Sequence, residues 1–188
     1  METAKSKPGL RKLFNEFDDD IRLYFNDFLK LLEADFSLDI ILPYVFFKLE
    51  QGQHQALLCG ARKLYKTDSD LTWQALDRQH STHKDYQQFF KNIFGFEIPK
   101  TALEIIEKAE DTRDRLMHGK EVNEAEKREA ISNVLHYCDQ VNKLLIGKEN
   151  LRFKPYKSDL RGFAGALESL DQPTTRWILK GMGFSSLS

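Results

Sequence analysis

The sequence predicts an all-α fold, an up-and-down helical bundle of about five helices followed by a C-terminal extension. Two observations carry this prediction. Apolar residues recur every three or four positions over most of the chain, as one face of a helix requires. Val is scarce, and no segment alternates apolar and polar residues as a half-buried strand does. The links between the helical segments are short, which favours antiparallel neighbours. With 188 residues, the chain suits one domain with an appendage.

The first predicted helix follows a polar N-terminus, residues 1–9, that we expect to be flexible. Apolar residues at three- and four-residue spacing then mark one face of a helix that runs to about Ala34. The members of this stripe are Leu10, Phe14, Phe17, Ile21, Phe25, Phe28 and Leu32. We expect them to face the core.

Three more helices are predicted before residue 99. Pro43 lies where a helix can start or kink, and the apolar pattern after it predicts a long helix to about Lys66. The capping residues at 67–70 predict a short helix next. Thr82 is a suitable N-cap for the fourth helix, which is expected to end at Gly95.

The last two helices complete the bundle. Pro99 stands at the start of the first of them, which is predicted to end at Gly119. Asn123 and, three residues later, Glu126 form a box-like capping pattern at the start of the second. The bundle is therefore predicted to span residues 10–147.

Composition narrows the classes of function. The net charge of −1 gives no global field that would recruit nucleic acid or a membrane. Cys59 and Cys138 lie in partly apolar helical segments, where buried free thiols are expected, and two Cys form neither a disulfide framework nor a zinc site. No apolar run has the length of a membrane span and no signal-peptide pattern opens the chain. We expect a cytoplasmic protein without a membrane partner.

The C-terminal extension, residues 148–188, differs from the bundle. It carries seven Lys/Arg against four Asp/Glu. Six of its basic residues alternate with aromatic ones: the candidate RNA-binding residues are Arg152, Lys154, Lys157, Arg161, Arg176 and Lys180, and the rings are Phe153, Tyr156, Phe163, Trp177 and Phe184. One interpretation is a single-stranded nucleic-acid surface, with charges for phosphates and rings for bases. The other is a tail and a short helix that dock Trp177 and Phe184 on the bundle.

A basic residue interrupts the apolar face of the predicted helix from Pro99 to Gly119. On a wheel of about 100° per residue, five apolar side chains of this helix lie within about 60° of Arg113. These residues are Ala102, Ile106, Ala109, Leu116 and Met117. A guanidinium keeps its charge, so its burial requires a partner. The partner can be a carboxylate, a second subunit or an anionic ligand, unless the side chain reaches solvent at the helix end.

A histidine follows the arginine on another face of the same helix. His118 lies about 140° from Arg113 on the wheel. Asp114 precedes it by four residues, a spacing at which a carboxylate can hydrogen-bond an imidazole. An imidazole titrates near neutral pH and suits proton transfer. The alternative is a surface histidine at a helix end.

The stretch DTRDRLMHGK, with Arg113, Asp114, His118 and the glycine after it, resembles the Arg-polar-x3-His motif of the HEPN superfamily. In that family the motif lies near the end of a late helix of an all-α bundle. The resemblance covers the predicted bundle, residues 10–147. It implies a metal-independent endoribonuclease that acts as a homodimer, with two motifs facing each other in one composite site. Many members are toxins or anti-phage defence proteins, so an antitoxin or defence-system partner is a further expectation.

The resemblance also implies roles for the motif residues. Arg113 would grip the scissile phosphate, His118 would act as general base or acid, and Asp114 would orient His118. The products would be a 2′,3′-cyclic phosphate and a 5′-hydroxyl, and neither metal nor cofactor would be needed. Members silenced by a nucleotidyltransferase antitoxin tend to carry Tyr where this chain has Lys120. Lys120 can add a phosphate contact instead.

Three hypotheses of function follow. The first is an RNA-cleaving HEPN dimer. The second is a non-catalytic HEPN-like module that binds RNA, a nucleotide or a protein, although intact Arg113, Asp114 and His118 argue against an eroded site. The third is a structural helical adaptor outside the family.

Overall fold

The computed structural model describes residues 4–78, 82–149, 151–157 and 168–184, and within these ranges every regular element is an α-helix. The helices are α1 (Lys7–Asn15), α2 (Asp19–Tyr24), α3 (Phe28–Glu33), α4 (Leu38–Tyr65), α5 (Ser69–Asp77), α6 (His83–Phe94), α7 (Lys100–Met117), α8 (Glu124–Ile146) and α9 (Gln172–Gly181). The predicted all-α class is confirmed. The described residues form nine helices rather than about five: three lie in the N-terminal segment, five lie between Leu38 and Ile146, and one lies in the extension.

Contacts group the chain into two compact units. The first comprises Met1–Gln51, Pro99–Leu144 and Tyr156–Ser158, and the second comprises Gly52–Ile98, Leu145–Pro155 and Asp159–Ser188. This grouping differs from the predicted boundary after residue 147, because the second unit combines α5 and α6 with most of the extension. The first unit has 16 basic and 20 acidic residues, and the second has 12 and 9. The basic excess of the chain therefore lies in the second unit.

The N-terminal stripe is buried as predicted, but the continuous helix predicted over it is wrong. All seven members of the stripe are at most 9% exposed. The helix ends once at Asn15 and again at Tyr24, because Asp18 is extended (ψ 152°) and Phe25 leaves the helical region (ψ 40°). The first helix also begins at Lys7, three residues before the predicted start, and Ser6 caps it by accepting a hydrogen bond from Gly9 N.

Pro43 lies inside α4 rather than at its start. The helix begins at Leu38 and continues through the proline to Tyr65. Ser37 assists the start, since its Oγ accepts a hydrogen bond from Asp39 N at 3.2 Å. A proline in the second turn removes one backbone hydrogen bond but does not end this helix.

The predicted capping residues of the later helices are confirmed. Asp68 caps α5 through Leu71 N, and Thr82 caps α6 in a reciprocal box with Asp85. The box at the start of α8 also forms: Asn123 Oδ1 accepts from Glu126 N at 3.0 Å, and Glu126 Oε2 accepts from Asn123 N at 2.9 Å. Each box satisfies backbone donors that a helix start leaves unpaired.

Helix α9 is anchored within the second unit by backbone and side-chain contacts. Thr175 Oγ1 accepts a hydrogen bond from Asp68 N at 3.0 Å, and Asn92 Nδ2 donates to Met182 O at 2.8 Å. Phe184 stacks on Phe89, with 4.5 Å between the ring centroids and an interplanar angle of 7°. The end of the described chain is therefore held by packing as well as by hydrogen bonds.

Candidate functional site: the C-terminal end of α7

The motif residues lie in the last two turns of α7 and in the loop after it. His118 is the C-cap residue, and Gly119 adopts a positive φ of 69°. Gly119 N donates to Leu116 O at 3.0 Å and Lys120 N to Arg115 O at 2.9 Å. A glycine after a helix end takes the left-handed conformation without steric cost. The His-Gly pair therefore ends the helix and leaves the imidazole at its exposed tip, since His118 is exposed.

Arg113 has partners within its own unit. Its Nη1 lies 3.1 Å from Glu50 Oε1, and its guanidinium carbon lies 4.6 Å above the centroid of the Phe46 ring. A cation over an aromatic face is attracted by the ring quadrupole. The Arg113 side chain keeps 26% of its surface exposed. The charge on the apolar face is thus held half-buried by a carboxylate and a ring of α4.

The apolar face around Arg113 is only partly as predicted. Ala102, Ile106 and Ala109 are buried, each with no exposed surface. Met117, in contrast, is 66% exposed. The apolar face therefore leaves the core in the last turn, one turn beyond Arg113.

Among the described residues, no hydrogen bond joins the His118 side chain to the Asp114 carboxylate, in contrast to the prediction. Asp114 Oδ1 instead accepts from Arg113 Nε at 2.9 Å and lies 2.8 Å from Arg113 Nη2. His118 contacts Asp114 only through the backbone, from its N to Asp114 O at 3.0 Å. Both of these guanidinium nitrogens thus meet the same carboxylate oxygen, and such charge-assisted contacts are stronger than hydrogen bonds between neutral groups. Asp114 thus orients Arg113 rather than His118.

Met117, one helical turn after Arg113, is open to solvent. Phe47, which follows the Arg113 partner Phe46 in the sequence of α4, is 61% exposed as well. Lys120 is also exposed. The surface that carries Arg113 and His118 therefore combines charge with unburied apolar area.

Arg115 fixes the loop that follows His118. Its Nη1 pairs with Glu126 Oε1 at 2.9 Å, and its Nη2 donates to Glu121 O at 3.0 Å. These contacts join the end of α7 to the start of α8. Hydrogen bonds to the Glu126 carboxylate hold its pKa below the ordinary value. The largest effect comes from Arg115, and the next largest from the backbone N–H of Asn123.

The lowered pKa of Glu126 predicts a pH dependence. In the folded state Glu126 is paired as a carboxylate. Its contribution to stability is therefore present above the pKa of the unfolded state and is lost as pH falls through the pKa of the folded state. We expect Glu126→Gln to lower the free energy of unfolding at pH 7 and to have little effect at pH 3. Urea unfolding of both proteins at the two pH values measures this. An equal effect at both values would contradict it.

The candidate RNA-binding residues of the extension are dispersed. Arg152 and Lys180 are exposed and Lys154 and Arg176 half-buried, all in the second unit. Lys157 is exposed and belongs to the first unit with Arg113 and His118. Arg161 and the aromatic Phe163 lie outside the described residues.

The aromatic residues of the extension divide into two classes. Phe153, Tyr156 and Phe184 are at most 3% exposed, so their faces are not available for stacking on bases. Trp177 is 77% exposed. The packing interpretation is therefore right for Phe184 and wrong for Trp177, and among the described rings of the extension only Trp177 is available for stacking.

Glu50 and Phe46 are the site residues that sequence reasoning missed. They are separated by four positions and so lie on one face of α4, and both meet the guanidinium of Arg113. A carboxylate and an aromatic ring one turn apart would indicate partners for Arg113 only if it were known that α4 packs against α7. Nothing in the sequence gives that pairing.

Metal ligands do not cluster in the part of the chain that the structure describes. No group of three His, Cys, Asp or Glu residues that could hold a metal ion occurs there. The histidine pair that the sequence offers, His80 and His83, has its first member outside the described residues. Both cysteines are buried free thiols, as predicted. None of the described helices is long and apolar enough to cross a membrane.

Comparison of the chain with family models, curated proteins and solved structures finds no match.

Proposed function

We propose that this protein is a metal-independent endoribonuclease of the HEPN type, with a site formed by two copies of the chain. The observation that carries the proposal is the end of α7, where Arg113 is held at the surface by α4 and His118 stands exposed on the terminal turn. One group binds phosphate and the other transfers a proton, and RNA cleavage needs both.

The chemistry balances with these groups alone. His118 as general base takes the proton of the RNA 2′-hydroxyl, and the 2′-oxygen attacks the adjacent phosphorus. The bond from phosphorus to the 5′-oxygen breaks, and that oxygen takes a proton from a protonated imidazole or from water. Arg113 binds the phosphate oxygens, which carry extra charge in the transition state. Asp114 holds the guanidinium through two contacts. The products are a 2′,3′-cyclic phosphate and a 5′-hydroxyl.

The need for two copies follows from the direction of the side chains. Arg113 leans onto Phe46 and Glu50 of α4, whereas His118 lies about 140° around α7 from it. Two copies of the chain therefore bring both groups onto one phosphate more easily than one copy does. Met117, exposed within the motif, supplies apolar area that a second copy would bury, and Phe47 on α4 is exposed as well. A homodimer with a two-fold axis near Met117 would present Arg113 of one protomer to His118 of its partner.

A second function is favoured by one specific observation. The Arg113 guanidinium is already paired with Glu50 and Asp114, so a phosphate must compete with two carboxylates. A non-catalytic HEPN-like module, in which these contacts are structural, fits this arrangement too.

Cleavage of RNA in EDTA tests the proposal. Purified protein is incubated with end-labelled single-stranded RNA in excess EDTA, and the product ends are identified. The proposal expects fragments with 2′,3′-cyclic phosphate and 5′-hydroxyl ends. Binding of RNA without cleavage would support the second function, and cleavage that requires added Mg²⁺ would exclude the metal-independent mechanism.

Glu50 is expected to restrain Arg113. Glu50→Gln removes the competing charge while it keeps the shape of the side chain, so Arg113 is freer to bind phosphate. Because exposed ion pairs contribute up to about 1 kcal/mol, RNA affinity should rise by up to about fivefold. Fluorescence anisotropy with a labelled RNA measures this, in the His118→Ala background to prevent cleavage.

A matched control separates this restraint from general charge repulsion. Glu33 pairs with Arg11 at 3.1 Å, the same distance as Glu50 from Arg113, and is similarly exposed. Glu33→Gln removes the same charge from the same unit. Equal effects of the two variants would show that Glu50 has no specific action on Arg113.

A further inference from the structure

A pocket in the second unit lies at the end of α9. It has a volume of about 500 Å³ and is lined by Tyr65, Asn92, Trp177, Ile178, Lys180, Gly181 and Met182. This volume is within the range of small-ligand sites. Neither the cleavage chemistry nor the motif of α7 uses it.

One face of α9 forms a wall of this pocket. Trp177, Lys180 and Gly181 are separated by three and four positions, so they lie on the same side of the helix. A Cβ added at Gly181 would meet no atom within 4 Å. The wall of the pocket at Gly181 is therefore open and has room for a larger side chain.

The exposure of Trp177 does not result from a loose helix. On the opposite face, Thr175 and Leu179 are fully buried and Met182 is 4% exposed. The hydrogen bond from Asp68 N to Thr175 and the stack of Phe184 on Phe89 fix both ends of the helix. The indole, 77% exposed, is thus presented to solvent by an anchored helix. A helix that is already anchored loses little conformational entropy when a ligand stacks on a ring that it carries.

The charge of the pocket fits an anion. None of its seven lining residues is acidic, and Lys180 is basic and exposed. The second unit as a whole has 12 basic and 9 acidic residues. A ring platform beside a lysine offers stacking to a base and a positive charge to its phosphate.

We propose that this pocket binds one nucleotide of a single-stranded RNA, with the base stacked on Trp177 and its phosphate at Lys180. The choice of RNA as the source of that nucleotide rests on the proposed function. The pocket would then hold the substrate strand at a place separate from the residues that cleave it.

The fluorescence of Trp177 reports binding directly. The chain has two tryptophans, so Trp73→Phe leaves Trp177 as the only one, and His118→Ala is added to prevent cleavage. Titration with a short oligouridylate is expected to quench the emission, because a stacked base quenches an indole. The apparent affinity should fall as salt is raised. Unchanged emission at RNA concentrations that saturate anisotropy would overturn the proposal.

Three variants test the geometry. Gly181→Leu fills the open space and should weaken RNA binding by about tenfold, the effect of one lost stack. Its melting temperature should be unchanged or higher, because leucine favours a helix more than glycine does. Lys180→Gln should lower the salt slope by about one. Lys84→Gln serves as the control for loss of one positive charge. Lys84 is exposed and lies at the start of α6, whereas the pocket residue Asn92 lies near the end of that helix. Equal effects of Lys84→Gln and Lys180→Gln, or full affinity in Gly181→Leu, would contradict the proposed site.

The outcome is separable from that of the cleavage assay. If RNA quenches Trp177 but the wild type does not cleave RNA, the binding pocket is supported and the ribonuclease activity is refuted. If the wild type cleaves RNA but Gly181→Leu binds it with unchanged affinity, the ribonuclease is supported and the binding pocket is refuted. Quenching by uridine monophosphate alone, but not by the oligonucleotide, would identify a free-nucleotide site and refute a strand-binding one. Protein capture through Trp177 with no response to RNA would refute it in favour of a protein partner.

Discussion

Replacement of His118 by alanine is expected to lower RNA cleavage by about 10²- to 10⁴-fold, the contribution of a general acid or base. Arg113→Ala should cost about 10²- to 10³-fold, as loss of one group that stabilises transition-state charge does. His118 is exposed and Arg113 half-buried, so neither substitution should unfold the protein. Initial rates on labelled single-stranded RNA in EDTA measure both effects.

Controls for these variants come from the same helix. Lys100 is exposed at the start of α7, far from the motif, and Lys100→Ala should cleave as the wild type does. Thermal unfolding of Arg113→Ala checks that loss of its contacts with Phe46 and Glu50 leaves the fold intact. Cleavage at the wild-type rate by His118→Ala would show that the nuclease activity belongs to another site or another protein.

Phe184→Ala is expected to lower the free energy of unfolding by about 3–5 kcal/mol. Its ring is 1% exposed and stacks on Phe89, so truncation loses buried apolar area and leaves a cavity beside α6. Urea unfolding followed by circular dichroism measures the change.

An exposed phenylalanine gives the matched control. Phe36 is 43% exposed, and Phe36→Ala should change the free energy of unfolding much less. If the two variants were equally stable, the buried contact of Phe184 would not hold the C-terminal segment in solution.

The N-terminal helices show what periodicity can and cannot predict. Spacing by three and four residues identified the buried stripe from Leu10 to Leu32, and every member is buried. The same spacing continues across the ends of α1 and α2, because a short turn can keep successive apolar residues on one side. The breaks depend on backbone angles at Asp18 and Phe25, which no apolar pattern records. Helix ends with a local capping residue, such as Thr82 and Asn123, were predictable because the signal is local.

The sequence could predict which residues of α7 belong to the candidate site, but it could not predict their contacts. The sequence located Arg113 on the apolar face and His118 at the helix end, since both follow from position on one helix. It assigned Asp114 to His118, whereas the carboxylate pairs with Arg113. The spacing rule allows the first pairing, but Nε and Nη2 of Arg113 both lie against Asp114 Oδ1, and charge-assisted contacts to a permanent cation are strong. Glu50 is 63 positions away in the chain, so its contact depends on tertiary structure.

The extension illustrates the limit of composition. Basic residues between aromatic ones fit both a nucleic-acid surface and a packed tail. Burial separates them residue by residue: Phe153, Tyr156 and Phe184 are core residues, and Trp177 alone among the described rings of the extension faces solvent. Alternation of residue types does not reveal which rings point inward, because that depends on where the chain docks.

Complementation between inactive variants tests the central claim most directly. Arg113→Ala and His118→Ala chains are co-expressed with different tags, and the mixed dimer is purified through both. A site that takes Arg113 from one protomer and His118 from its partner predicts that the mixed dimer recovers RNA cleavage in EDTA far above either variant alone. A mixed dimer as inactive as its parents would contradict a shared site.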